Sequence, residues 1–166
     1  GFTAVVAMPN TVPAIDAGHR AGFVVEQGRR AGHCEVAAAG AITLGRLGEE
    51  LSHLDELWEA GVRIFTDDGD TVANAGLLRR AMEYLAGTDS VIAQHAEDPG
   101  LSRDGHMHEG AVSSRLGILG LPALAEEVIV ARDLALVRLT GASYHVQHVS
   151  TAGTVALVRQ AKLDGL

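Results

Sequence analysis

Short apolar runs alternate along this chain with longer stretches in which apolar residues recur every three or four positions. The runs cover residues 2–8, 35–42, 62–66, 90–95 and 142–149. They are nearly continuous rather than strictly alternating, as expected of parallel strands covered on both faces. Between them, residues 17–31, 49–60, 74–86, 122–139 and 150–163 read as helices. In the second helix Leu51, Leu54, Leu57 and Trp58 form one apolar face, and Gly61 follows as a stop. In the third, Leu78, Ala81, Met82 and Leu85 have helical spacing; Pro122 suits the first turn of the fourth, and Gly141 closes it. Ser150 or Thr151 suits the N-cap of the last.

Strand–helix alternation repeated about five times predicts a parallel α/β fold. An open doubly wound sheet and a (β/α)8 barrel both satisfy it. No Gly-x-Gly-x-x-Gly follows any strand, which weighs against a dinucleotide site. A complete barrel takes roughly 250 residues, so five units in 166 residues amount to a little over half of one. The chain opens at Gly1 almost directly on a strand and stops at Leu166 just after a helix, so a segment of a longer protein is expected. Residues 100–120, rich in Gly, Ser and His, read as an irregular lid or insertion.

Composition narrows the function. A net charge of -8 argues against a nucleic-acid or anionic-membrane surface, since phosphate binding needs clustered Lys and Arg. The single cysteine, Cys34, rules out an internal disulfide and suits a reducing, cytoplasmic setting. Although His33 precedes it, it reads as packing, not as a nucleophile. No stretch is long and apolar enough to span a bilayer.

Polar residues able to bind metal or substrate recur where apolar runs end. Asn10 ends the first, Asp67 and Asp68 the third, His95 the fourth and His148 the fifth. In α/β barrels the C-terminal strand ends build the active site, so Asn10, Asp68, His95 and His148 are expected to converge. A carboxylate with two imidazoles suits Zn2+. Taken singly, each signal has a blander reading. A lone strand-end His is more often structural, Asp-Asp-Gly is most often a turn, and Asn10 after Pro9 suits a turn as well. Three candidates at three strand ends favour the metal. His19, His33 and His53 are expected at the surface, and His145, three residues before His148, is expected to face the other way. His106 and His108 fall in the irregular region.

Several of these segments match a known pattern. Residues 1–11, Gly-Phe-Thr-Ala-Val-Val-Ala-Met-Pro-Asn-Thr, resemble the second-strand signature of the cyclic amidohydrolases. Phe65-Thr66-Asp67-Asp68-Gly69 is similar to the fourth strand of bacterial dihydroorotases, and Gln94-His95-Ala96-Glu97-Asp98 to their fifth. Met107-His108-Glu109-Gly110 and the segment from Glu127 to Asp133 resemble the loop and helix that follow, and the segment from Tyr144 to Thr151 the sixth strand. The resemblance implies that residues 1–166 are the central part of a single amidohydrolase barrel domain. It implies a site of two zinc ions with Asp68, His95 and His148 as ligands, and Asn10 binding the substrate carboxylate. Relatives such as hydantoinases and allantoinases use a carboxylated lysine where Asp68 stands, which favours a dihydroorotase. The family's H-x-H-x-R motif would precede Gly1, and the Asp that transfers the proton would follow Leu166.

The implied activity is the interconversion of N-carbamoyl-L-aspartate and dihydroorotate in pyrimidine biosynthesis. A hydantoinase-like or allantoinase-like hydrolase, and a non-catalytic scaffold that binds aspartate transcarbamoylase, remain alternatives. A homodimer is also within the family's range. The partner of the site itself would be a small molecule.

Overall fold

Each apolar run contains a parallel strand in the computed structural model, which describes residues 1–166. Strand β1 (Ala4–Ala7) is followed by helix α1 (Gly18–Ala31), β2 (Glu35–Ala38), α2 (Leu54–Glu59), β3 (Ile64–Phe65), α3 (Ala75–Leu85) and β4 (Val91–Gln94). An excursion then carries β5 (Met107–His108), α4 (Ala111–Leu116) and β6 (Gly120–Leu121). Helix α5 (Leu124–Thr140), β7 (Tyr144–Val146) and α6 (Ala152–Leu163) complete the chain.

β1 pairs with β2, and β3 with β4 and then β7, all in parallel. Gly40 joins the two groups: its N–H donates to the Ile64 carbonyl at 2.9 Å, and its carbonyl accepts from Thr66 N at 2.9 Å. The spatial order is therefore β1-β2-β3-β4-β7, the order along the chain. A doubly wound sheet would reverse at a switch point. Sequential parallel strands with helical crossovers are instead an arc of a (β/α)8 barrel, so the partial barrel expected from the sequence is what forms.

The larger core lies between the strands and the first three helices, with Ile42, Leu57, Phe65, Leu78, Met82 and Ile92 almost wholly out of solvent. Helix α3 fits its place because Leu77, Leu78, Ala81, Met82 and Leu85 fall on one face, and the Asn74 side chain accepts from Leu77 N at 3.1 Å as its N-cap. A smaller cluster, including Ile129, Val130, Leu134 and Ala161, packs α5 against α6. No helix is long and apolar enough to cross a membrane.

Two expectations change. The helix expected over 49–60 is confined to Leu54–Glu59. Upstream, Gly48 has a φ of 71°, Thr43 bridges Leu51, and the Ser52 hydroxyl donates to the Ala41 carbonyl, so the segment turns back toward β2. Trp58 leaves the apolar face: it is 37% exposed, donates through Nε1 to Asp89, and lies under the Arg63 guanidinium 4.7 Å from the ring centre. The irregular region is also more ordered than expected. β5 and β6 pair in parallel, Met107 opposite Gly120 and His108 opposite Leu121, and α4 spans the gap.

Candidate metal centre

Asp68 follows β3, His95 follows β4 directly, and His148 follows β7, all at C-terminal strand ends. His95 Nδ1 lies 3.2 Å from Asp68 Oδ1 and 3.0 Å from His148 Nε2, and His148 Nε2 lies 3.3 Å from the same Asp68 oxygen. The imidazoles meet edge to face at 74°, with ring centres 4.8 Å apart. The three residues form a group able to hold a metal ion.

Donor chemistry favours a cation at this point. If both facing nitrogens carried hydrogens, two N–H groups would oppose each other at 3.0 Å. One proton can serve only one or two of the three contacts, whereas a cation serves three lone pairs at once. The spacing fits too. Ligands about 2.0–2.1 Å from a tetrahedral zinc stand about 3.3 Å apart along each edge, close to the triangle observed. On its other side, His95 Nε2 lies 3.6 Å from a Glu97 carboxylate oxygen. A carboxylate there favours a proton on Nε2 and leaves Nδ1 free to ligate.

The backbone around the triad is held unequally. The Thr66 hydroxyl accepts from Asp68 N at 3.1 Å, and Arg46 donates to the Asp68 carbonyl at 2.7 Å. The Thr71 hydroxyl lies 2.7 Å from the His95 carbonyl and 2.6 Å from that of Glu97, which ties the loop after β3 to the end of β4. His148 sits at a φ of 32°, a conformation costly for a residue with a Cβ.

Asp67 points away from its neighbour. Its buried carboxylate accepts from Ile42 N at 2.7 Å and Thr43 N at 3.1 Å, and from the Thr43 hydroxyl, so it clamps the turn after β2. Burial pushes this carboxyl above the ordinary range, against those hydrogen bonds and the Arg46 charge. Asp98 caps the N–H groups of Gly100 and Leu101. Asn10 is exposed in the loop after β1. His145 lines a separate groove beside Val137 and Val158, while His19, His33 and His53 lie at the surface. A cavity of about 500 Å³ opens beside His95 and His148, bounded by Glu97, His108, Pro122 and Glu126. The excursion, expected as an irregular lid or insertion, thus supplies His108 as an ordered wall.

The Dihydro-orotase-like family profile matches residues 1–154. The chain belongs to the dihydro-orotase-like family. It is 48% identical over its full length to a dihydroorotase of Syntrophobacter fumaroxidans and 49% to one of Pelotomaculum thermopropionicum. It covers 38% and 39% of those proteins, so it spans about two fifths of the curated relatives it matches. Among solved structures, an L-hydantoinase (dihydropyrimidinase) from Arthrobacter aurescens superimposes with a TM-score of 0.73 at 21% identity, over 99% of this chain and 38% of the other. A D-hydantoinase superimposes with a TM-score of 0.64 at 18% identity, over 99% of this chain and 37% of the other. At such identities the likeness concerns the fold alone.

Sequence reading missed the groups that hold the site. Thr71, Arg46 and Glu126 carry no motif of their own, and their partners lie 22 or more positions away in the chain.

Proposed function

We propose that the protein to which these residues belong is a zinc-dependent cyclic amide hydrolase that interconverts N-carbamoyl-L-aspartate and dihydroorotate. The observation that carries this reading is the Asp68–His95–His148 triangle, with edges of 3.0 to 3.3 Å, in a chain 48–49% identical to proteins named dihydroorotase. A carboxylate at Asp68, where hydantoinase-type relatives are expected to use a modified lysine, supports dihydroorotate over hydantoins. A reducing, cytoplasmic setting suits the lone, uncrosslinked Cys34.

In this reading Asp68, His95 and His148 hold the zinc. Bound zinc supplies Lewis acidity, polarising a carbonyl oxygen and letting water ionise near neutral pH. Glu97, 3.6 Å from His95 Nε2, favours electrostatically the tautomer that presents Nδ1. Thr66, Arg46 and Thr71 hold the backbone of Asp68 and His95, so the donors need not reorganise when charge develops on the substrate. Asn10 hydrogen-bonds the substrate carboxylate through its amide. The cavity bounded by His108 and Glu126 accommodates the ring.

A substrate panel on the full-length protein tests this. Turnover of dihydroorotate with little on hydantoin or allantoin is expected. Faster hydrolysis of hydantoin or allantoin would reject the assignment.

A further inference from the structure

We propose that Glu126 is a positioning residue for His148: its carboxylate anchors the turn between β7 and α6 and thereby aims the imidazole at Asp68 and His95. The inference rests on the metal-site reading above.

Glu126 lies in the first turn of α5, is 8% exposed, and faces the cavity that His95 and His148 share. One carboxylate oxygen accepts from Ser150 N at 2.9 Å and from the Ser150 hydroxyl at 2.6 Å. The other accepts from Thr151 N at 3.1 Å and the Thr151 hydroxyl at 3.0 Å. Burial alone would raise this carboxyl, but hydrogen bonds from Ser150, Thr154 and Thr151 outweigh it and hold the group below its ordinary range.

His148 and Val149 make no backbone–backbone hydrogen bond. The nearest such tie upstream is Gln147 N to the Gln94 carbonyl at 3.3 Å. Downstream, the first anchor is Glu126. The φ of 32° at His148 therefore lies in a two-residue span whose far end is fixed by one side chain. Such a conformation persists only where surrounding contacts over-determine it.

Helix capping does not account for these bonds. The cap of α6 is Thr151, whose hydroxyl accepts from Thr154 N at 3.1 Å. The N–H groups that Glu126 takes belong to Ser150 and Thr151, before the first helical residue, Ala152. The neighbouring Glu127 closes on the same region: a Cβ at Gly153 would collide with its carboxylate.

The test uses the full-length protein with Zn2+ and Co2+ as probes. Zinc affinity, the visible spectrum of the Co2+ form and the melting of the metal-free protein are measured for E126Q, S150A, H148A and L134A. Leu134, on α5, packs in the cluster shared with Ala161 of α6, so L134A reports loss of packing without loss of the anchor. E126Q is expected to lose zinc affinity by about 10- to 100-fold, as removal of such supporting partners does, and to alter the Co2+ spectrum. S150A should lose several-fold, and L134A should melt lower with affinity and spectrum unchanged. Wild-type affinity and spectrum in E126Q, whatever its melting temperature, would overturn the proposal. Should E126Q not fold, unchanged affinity in S150A would do so. H148A that binds zinc like wild type would overturn the metal-site reading as well; H148A losing zinc while E126Q keeps it would remove Glu126 alone.

Discussion

His95 and His148 present ring nitrogens 3.0 Å apart, yet they stand on very different supports. His95 follows β4, which pairs with β3 on one side and β7 on the other. Ile92, Ala93 and Gln94 just before it are buried. Gln94 Nε2 donates to Asp133 at 3.1 Å, and that carboxylate also accepts from Tyr144 OH at 2.8 Å and from Arg132. Arg132 in turn donates to the Val72 and Ala73 carbonyls in the loop that carries Asp68 toward α3. His148 follows β7, which pairs only with β4, and its side chain is 52% exposed. Two donors of one site thus draw on unequal reserves of order. The end of β4 is fixed by a redundant buried network, to which β7 contributes Tyr144, whereas the turn beyond β7 that carries His148 is fixed at its far end by one carboxylate. Variants on the first side should be read out mainly as stability, and on the second mainly as metal affinity.

The largest effect should come from the ligands themselves. H95A and H148A should each empty the metal position and abolish turnover in the full-length protein, as measured by metal analysis and assay. Equal zinc content in either variant would break the comparison at its base. Next is D133A, which removes a fully buried carboxylate that accepts from Gln94, Tyr144 and the partly exposed Arg132. A loss of about 2–3 kcal/mol is expected in denaturant unfolding, as for lost hydrogen bonds to a buried charged group. T71A removes hydroxyl contacts to the His95 and Glu97 carbonyls and should cost about 1 kcal/mol with a small change in zinc affinity. A loss of affinity in T71A exceeding that of E126Q would invert the comparison.

The smallest effect is in pH dependence, where the two sides have opposite signs. Burial raises the Asp133 carboxyl despite Arg132, Tyr144 and Gln94. Its contribution is fullest below the ordinary value of 3.8 and is lost as pH rises through the raised native value. Glu126 is lowered, so its contribution is present above the ordinary value of 4.5 and is lost as pH falls through the lowered native value. In thermal melts, the wild-type advantage over D133N should shrink as pH rises. The advantage over E126Q should shrink as pH falls.

Much of this molecule was legible before its structure. Parallel strands buried on both faces leave apolar runs, so all five barrel strands were found, though their pairing is shorter than the runs. Residues 39–42 stay buried after β2, but beyond the bond from Ala39 N to the Ala7 carbonyl they leave the β1 ladder, and Gly40 bridges to β3. The strand-end rule brought out Asp68, His95 and His148, because a barrel gathers strand ends whatever their separation in sequence. Asn10 met the same rule as a substrate-binding candidate and lies exposed in the loop after β1. Asp67 and Asp68 show the limit of composition: adjacent carboxylates serve opposite faces, one clamping Thr43 and the other meeting the histidines. The excursion at 100–120 hid its order because two-residue strands leave no period to read. Glu126 was illegible for a different reason. Its role is a contact across 24 residues, and in its own helix it is one more acidic first-turn residue.

The measurement closest to the central claim is made on one sample of the full-length protein. Zinc is counted and dihydroorotate hydrolysis assayed before chelation, after chelation and after zinc is restored. Zinc-bearing protein that loses turnover with its metal and regains it with zinc is the predicted result. Turnover that persists in metal-free protein, or zinc-bearing protein that never acts on dihydroorotate, would contradict it.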